Sequence, residues 1–125
     1  MHRRTIDIVI ASQNSDLAAI LTPMPMPEGF TLSLSVTPSL DPKVFPVCDL
    51  LIHDLGTPTM DMIEDLSAQA TLVLCLDAAE LALISESACQ ALADIWPKPF
   101  SAELIRFRCQ KLVRQLIRDR KYDLS

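Results

Sequence analysis

Residues 48–61 read CDLLIHDLGTPTMD, an apolar run set between Asp49 and Asp54 and broken off by Gly56 and Pro58. The run has the length and composition of a buried strand, and the Gly and Pro directly behind it impose a turn. In an open α/β sheet, sites form beyond the carboxyl ends of the strands. A strand this apolar that ends on Asp54 therefore points a carboxylate at such an edge.

The rest of the chain repeats this pattern. TIDIVIAS (5–12) and TLVLCLD (71–77) read as strands buried on both faces. FTLSLSV (30–36) alternates Phe30, Leu32, Leu34 and Val36 with small polar residues, the period of a half-buried strand. ADIW (93–96) is a short fifth strand stopped by Pro97 and Pro99. Between them, NSDLAAIL, TMDMIEDLSAQ and AAELALISESACQAL predict helices, the first ended by TPMPMPEG, where Met24 and Met26 form an extended apolar loop. TPSLDPKVFPV (37–47) stands where a helix is due, but Pro38, Pro42 and Pro46 limit it to a turn or two. From Ser101, a predicted N-cap with Glu103 in the first turn, the pattern is helical to the end. Five alternations of strand and helix predict a doubly wound α/β fold, a five-stranded parallel sheet flanked by helices.

A chain of 125 residues, half of them apolar, is one domain's worth of core. The net charge is −5, yet seven of the eleven basic residues lie in the last twenty, so an acidic body carries a basic tail. Cys48, Cys75, Cys89 and Cys109 are too widely spaced for a metal or redox motif and read as reduced thiols. MHRR followed by IDIVIA is too short for a signal sequence and includes Asp7, and no run is long enough to cross a bilayer. A cytoplasmic protein without membrane contact is the expectation.

CDLLIHDLGTPTMD, with Pro four residues and Asp seven residues after Asp54, resembles the central motif of the receiver domains of two-component response regulators, and WPKPF (96–100) resembles their Lys-Pro-Phe segment. The resemblance covers essentially the whole chain. It implies a flavodoxin-like fold, Asp54 as the equivalent of the phosphoryl-accepting aspartate, Lys98 as the lysine that steadies the phosphoryl group, and Pro58 as a shaper of the neighbouring loop.

The departures point to a degenerate, pseudo-receiver variant. The family's acidic pair, which holds Mg²⁺, corresponds to Ala11 and Ser12, so no cofactor is expected and magnesium should bind poorly. The family's hydroxyl residue after the fourth strand corresponds to Asp77, and its aromatic switch position to Ile95, next to Trp96. Asp77 is expected to form a standing ion pair with Lys98 beside Asp54, or else to serve as a substitute metal ligand. The expectation for function is a non-catalytic regulatory module of bacterial two-component signalling. The alternatives are an active phosphoaccepting receiver and a small-molecule domain using the edge around Asn14, Thr57 and Ala78.

Other candidates carry less. His53 is predicted to point away from Asp54 and pack under a helix, because neighbours in a strand face opposite ways. Asp61 reads as a surface or cap residue; Ser12, Ser15 and His53 make no nucleophile triad, and Gly29 and Gly56 no phosphate loop. In the last helix Ile105, Cys109, Leu112 and Leu116 form an apolar stripe, part of it covering the sheet and the remainder offered for interaction. This helix, 101–125, resembles the one that leads from a receiver into a further domain. Expected partners are a histidine kinase or an output domain, with homodimerisation through the helices over 78–92 and 101–125. Direct nucleic-acid binding is not expected, since the basic tail lacks a recognition signature.

Overall fold

Each apolar run expected to be a strand is one. A computed structural model describes residues 4–41, 43, 44 and 47–123, with side chains as far as residue 120. The elements are β1 (Arg4–Ser12), α1 (Asp16–Leu21), β2 (Phe30–Thr37), β3 (Leu50–Asp54), α2 (Met60–Ser67), β4 (Thr71–Leu76), α3 (Ala78–Leu81), α4 (Glu86–Ala91), β5 (Asp94–Pro97) and α5 (Ala102–Asp123). The strands form one parallel sheet in the order β2-β1-β3-β4-β5. The chain steps from β1 to one side and then returns to the other, so the switch point lies between β1 and β3, where Ser12 and Asp54 are register partners.

Alternation along the strands sorts the core into two layers. Ile8, Ile10, Ile52, Val73 and Trp96 face α1 and α5, against Leu17, Leu21, Ile105 and Val113. Val9, Ala11, Leu51, Leu72 and Leu74 face the other way, against Ile63 and Leu66 of α2 and Ala88 of α4. Each fully buried aliphatic side chain contributes roughly 1.5–3 kcal/mol of transfer free energy. Burial on both faces is why the central strands read as continuous apolar runs.

Two expectations about helices change. The single helix predicted over 78–92 is divided into α3 and α4, because the Ser85 hydroxyl accepts the Ala88 N–H (3.2 Å) and starts a new helix there. Between Thr37 and Leu50 none of the described residues is helical; Pro42 and Pro46 of the predicted turn lie outside them.

The stripe on the last helix is also corrected. Ile105 and Cys109 are fully buried in the sheet-facing core together with Val113 and Ile117 and are not free contact residues, whereas Leu112 and Leu116 are half-buried at its margin. The helix keeps a spacing of four because the sheet surface it covers is broad. Over 22 residues, about 33 Å, it crosses the whole sheet. At its far end Arg120 pairs with Asp49 and donates to the Thr5 carbonyl (3.2 Å), while Asp49 also accepts the Asp7 N–H (2.7 Å). The charged turns as far as Arg120 are thereby docked. Burial raises the Cys48 thiol to about 11 and that of Cys109 to about 12, so neither is a ready nucleophile at neutral pH. No helix among the described residues is long and apolar enough to cross a membrane.

Candidate functional site

Three strand ends converge at the switch point. β3 delivers Asp54, whose side chain is only 3 % exposed. β1 delivers Ser12 directly opposite it, and its hydroxyl donates to Asp54 Oδ2 (3.0 Å). The segment after β5 delivers Lys98, whose Nζ donates to Asp54 Oδ1 at 2.8 Å. The Lys98 N–H bonds to the Leu76 carbonyl (2.9 Å), which fixes this segment to the end of β4. Both carboxylate oxygens of Asp54 therefore have donors from within the chain. The hydrogen bond to Asp54 raises the Lys98 amino group above its ordinary 10.5, with burial opposing.

Asp77 takes no part in this cluster, contrary to the ion pair expected with Lys98. Its carboxylate accepts the Glu80 N–H (2.8 Å) while Glu80 Oε1 accepts the Asp77 N–H (3.2 Å), a capping box that opens α3. An aspartate three residues before a glutamate at a helix start is engaged by the backbone, and Lys98 pairs with Asp54 instead. Glu80, unnoticed in the sequence, also accepts from the Thr57 hydroxyl (3.4 Å) and so ties the loop after β3 to the turn after β4. The DAAE spacing was the signal that could have found it. Pro58 lies half-buried in that loop behind Gly56, whose φ of +88° supplies the left-handed turn, and Thr59 caps α2. Asp61 is exposed in the first turn of α2.

Above Asp54 lies an open depression walled by Gln13, Asn14, Pro38, Ser39 and Gly56. Gln13 Nε2 bonds the Pro38 carbonyl (2.8 Å) and so joins the β1–α1 loop to the exit of β2. Of the edge residues expected to serve a small molecule, only Asn14 borders this space. Thr57 is turned to Glu80, and Ala78 lies exposed in α3.

No family model matches the sequence, and no curated protein matches it significantly. Solved structures do match. A response regulator receiver domain from Clostridium thermocellum is 12 % identical, with 96 % of this chain and 99 % of that one covered at a TM-score of 0.64. The response regulatory domain of mrkE from Klebsiella pneumoniae is 14 % identical, covering 90 % and 99 %, also at 0.64. A protein of Burkholderia pseudomallei described as pilus assembly-related is 18 % identical, covering 92 % and 94 %, at 0.65. The fold is a receiver fold.

Within this receiver-type sheet, the positions expected for the acidic pair part company. Ala11 is buried in the layer under α2 and α4, and Ser12 is turned to Asp54. Magnesium requires near-octahedral oxygen coordination with carboxylate charge. Here the one carboxylate at the strand end is already bonded to an ammonium and a hydroxyl, Ala11 and Ser12 stand at the positions expected for acids, and the described residues contain no cluster of three or more His, Cys, Asp or Glu able to hold a metal. The residues do not fit the ion.

His53 behaves as alternation along the strand requires: it is buried between Ala11 and Leu74 in register, and its Nδ1 has no hydrogen-bond partner among the described residues. Burial pushes its imidazole below the ordinary 6.5, with the Asp54 and Glu80 charges opposing. A pKa depressed by folding means that the unfolded chain takes up the proton first as pH falls, so stability is lost below about 6.5. His53→Leu is expected to flatten this part of the acid limb, measured as urea stability between pH about 7.5 and about 5.5. An unchanged slope would show that His53 does not contribute.

Proposed function

We propose that this chain is a non-catalytic regulatory module of the two-component type, in which Asp54 is held in a standing internal pair and signalling proceeds by contact with a protein partner such as a histidine kinase or an output domain. The observation that carries this reading is the double engagement of Asp54, by Lys98 at 2.8 Å and Ser12 at 3.0 Å, with Ser12 in place of a metal-binding acid. Phosphoryl transfer to a carboxylate relies on metal charge and an open acceptor oxygen, and this site is poor in both. A shared fold alone would not support the step to function.

The test is an amide NMR titration with Mg²⁺ and then beryllofluoride, which mimics an aspartyl phosphate. Amides around Asp54, Ser12 and Lys98 are expected to stay in place. Saturable shifts that vanish in Asp54→Asn would establish a working phosphoacceptor and remove the locked-site reading.

A further inference from the structure

The sheet ends on two strands, β2 and β5, and the chain treats these two edges differently. At β5 it satisfies its own backbone: Asp94 Oδ1 accepts the Ile95 N–H (2.9 Å), Arg108 donates to the Ile95 carbonyl (2.9 Å), and Pro97 has no N–H to offer. A short strand with charges and a proline is a protected edge. β2 is twice as long and has none of these devices. Its register with β1 runs unbroken from Phe30 to Thr37, without a bulge, and FTLSLSVT contains neither charge nor proline. Among the described residues no side chain bonds to the backbone of 31–37. Every second residue of an edge strand turns its N–H and C=O away from its neighbour, so the outer side of β2 carries a row of unpaired donors and acceptors.

The two faces of β2 are also unfinished. Phe30, Leu32 and Leu34 pack at the margin of the layer under α1 and α5, and Val36 on the same face is 43 % exposed. Thr31, Ser33 and Ser35 on the other face are exposed, and none of the described residues of 38–49 forms a helix over them. We propose that β2 pairs antiparallel with β2 of a second copy of this chain, about a two-fold axis at Ser33, joining the two five-stranded sheets into one.

The sequence of the strand matches itself in this register. Ser33 meets Ser33, Leu32 meets Leu34, Thr31 meets Ser35 and Phe30 meets Val36. Opposed residues share a face, so apolar side chains meet apolar ones, hydroxyls meet hydroxyls, and an aromatic and β-branched pair closes each end. The layer under α1 and α5 then continues from one copy into the next. An axis at Leu34 would set Phe30 against Pro38, which has no N–H and whose carbonyl is taken by Gln13 (2.8 Å). An axis at Leu32 would shorten the ladder. This self-complementarity selects a second copy over a foreign strand, for which an uncharged edge offers little beyond its backbone. Each copy carries a net charge of −5, none of it on the strand, so salt should strengthen the pairing by screening the repulsion between the two bodies. Asp54 ends β3, two strands in from this edge, and its state does not enter.

The test is sedimentation velocity of the full chain between about 10 µM and about 1 mM. A seam of one strand is a small interface, so a weak dimer is expected, reversible within this range and stronger in salt. Ser33→Lys and Ser33→Glu each set like charges together at the axis and should weaken the dimer roughly tenfold or more. Mixing the two variants should restore it, because a position meets itself only on a two-fold axis. Ser33 is exposed, so both variants should fold, which far-UV circular dichroism checks. Amides of 30–37 should shift with concentration in the wild type. A chain that stays monomeric at about 1 mM would leave the edge to a strand of another protein and overturn the proposal. A dimer indifferent to both substitutions, a mixture no tighter than either variant, or concentration-dependent shifts confined to α4 and α5 would overturn it equally. The beryllofluoride titration reads Asp54 alone, so either reading can fail without the other.

Discussion

Lys98→Ala is expected to lower the unfolding free energy by about 1–3 kcal/mol, because it strands a buried carboxylate with one hydroxyl donor. Removing a partner from a fully enclosed ion pair costs more, but the Lys98 side chain is 36 % exposed, and water at that side reduces the loss. In a domain of this size the change corresponds to a melting point lower by roughly 3–6 °C per kcal/mol. Adding Asp54→Asn to the Lys98→Ala chain should restore much of the loss, since the stranded charge is then gone, and the double-mutant cycle reads the coupling between them. The amino group of Lys98 is raised by folding, so its contribution is complete below about 10.5 and is lost as pH rises through the folded value. Wild-type and variant stabilities should therefore converge in strong alkali. Equal denaturation midpoints at neutral pH would mean that the 2.8 Å contact carries no stability and that Asp54 is not held by it.

The same pair marks where sequence reading succeeds and where it stops. The strands were legible because a parallel sheet covered on both faces demands unbroken apolar runs, and IDIVIA, LLIH and LVLCL have no other good use. Asp54 was legible because it ends such a run, and Lys98 because it follows the short fifth strand in the WPKPF segment. What could not be read was the competition for Asp77. Its place at a strand end suggested Lys98 as partner, yet the Glu80 backbone is three residues away, and a local hydrogen bond needs no long-range placement. The division of 78–92 turned on Ser85 in the same way: a serine inside a helical pattern is a start signal when its hydroxyl finds the N–H three residues on. In α5 the difficulty was rotational. Two apolar stripes lie one residue apart, 104/107 and 105/109, and periodicity alone does not say which of them the sheet will cover.

Ser12→Asp is expected to convert the site into one that responds to magnesium. Ser12 Oγ lies 3.0 Å from Asp54 Oδ2, so an aspartate there places a second carboxylate against the first at the end of β1. Without metal the two charges repel, one carboxyl holds its proton more tightly, and stability falls by about 1–2 kcal/mol. Magnesium, which takes carboxylates and fills its remaining positions with water, should reverse this. At ten times its dissociation constant a ligand that binds only the folded state adds about 1.4 kcal/mol. Thermal unfolding with and without millimolar Mg²⁺ is the measurement: the variant's midpoint should rise with the metal and return on chelation, and the wild-type midpoint should not move. Lys98 works against the metal, since its ammonium already occupies Asp54 Oδ1. If Ser12→Asp ignores Mg²⁺ but Ser12→Asp with Lys98→Ala responds, the lysine pair is what keeps the site closed. If neither responds, the barrier lies in the loops that wall the depression, where Gln13 is bonded to the Pro38 carbonyl.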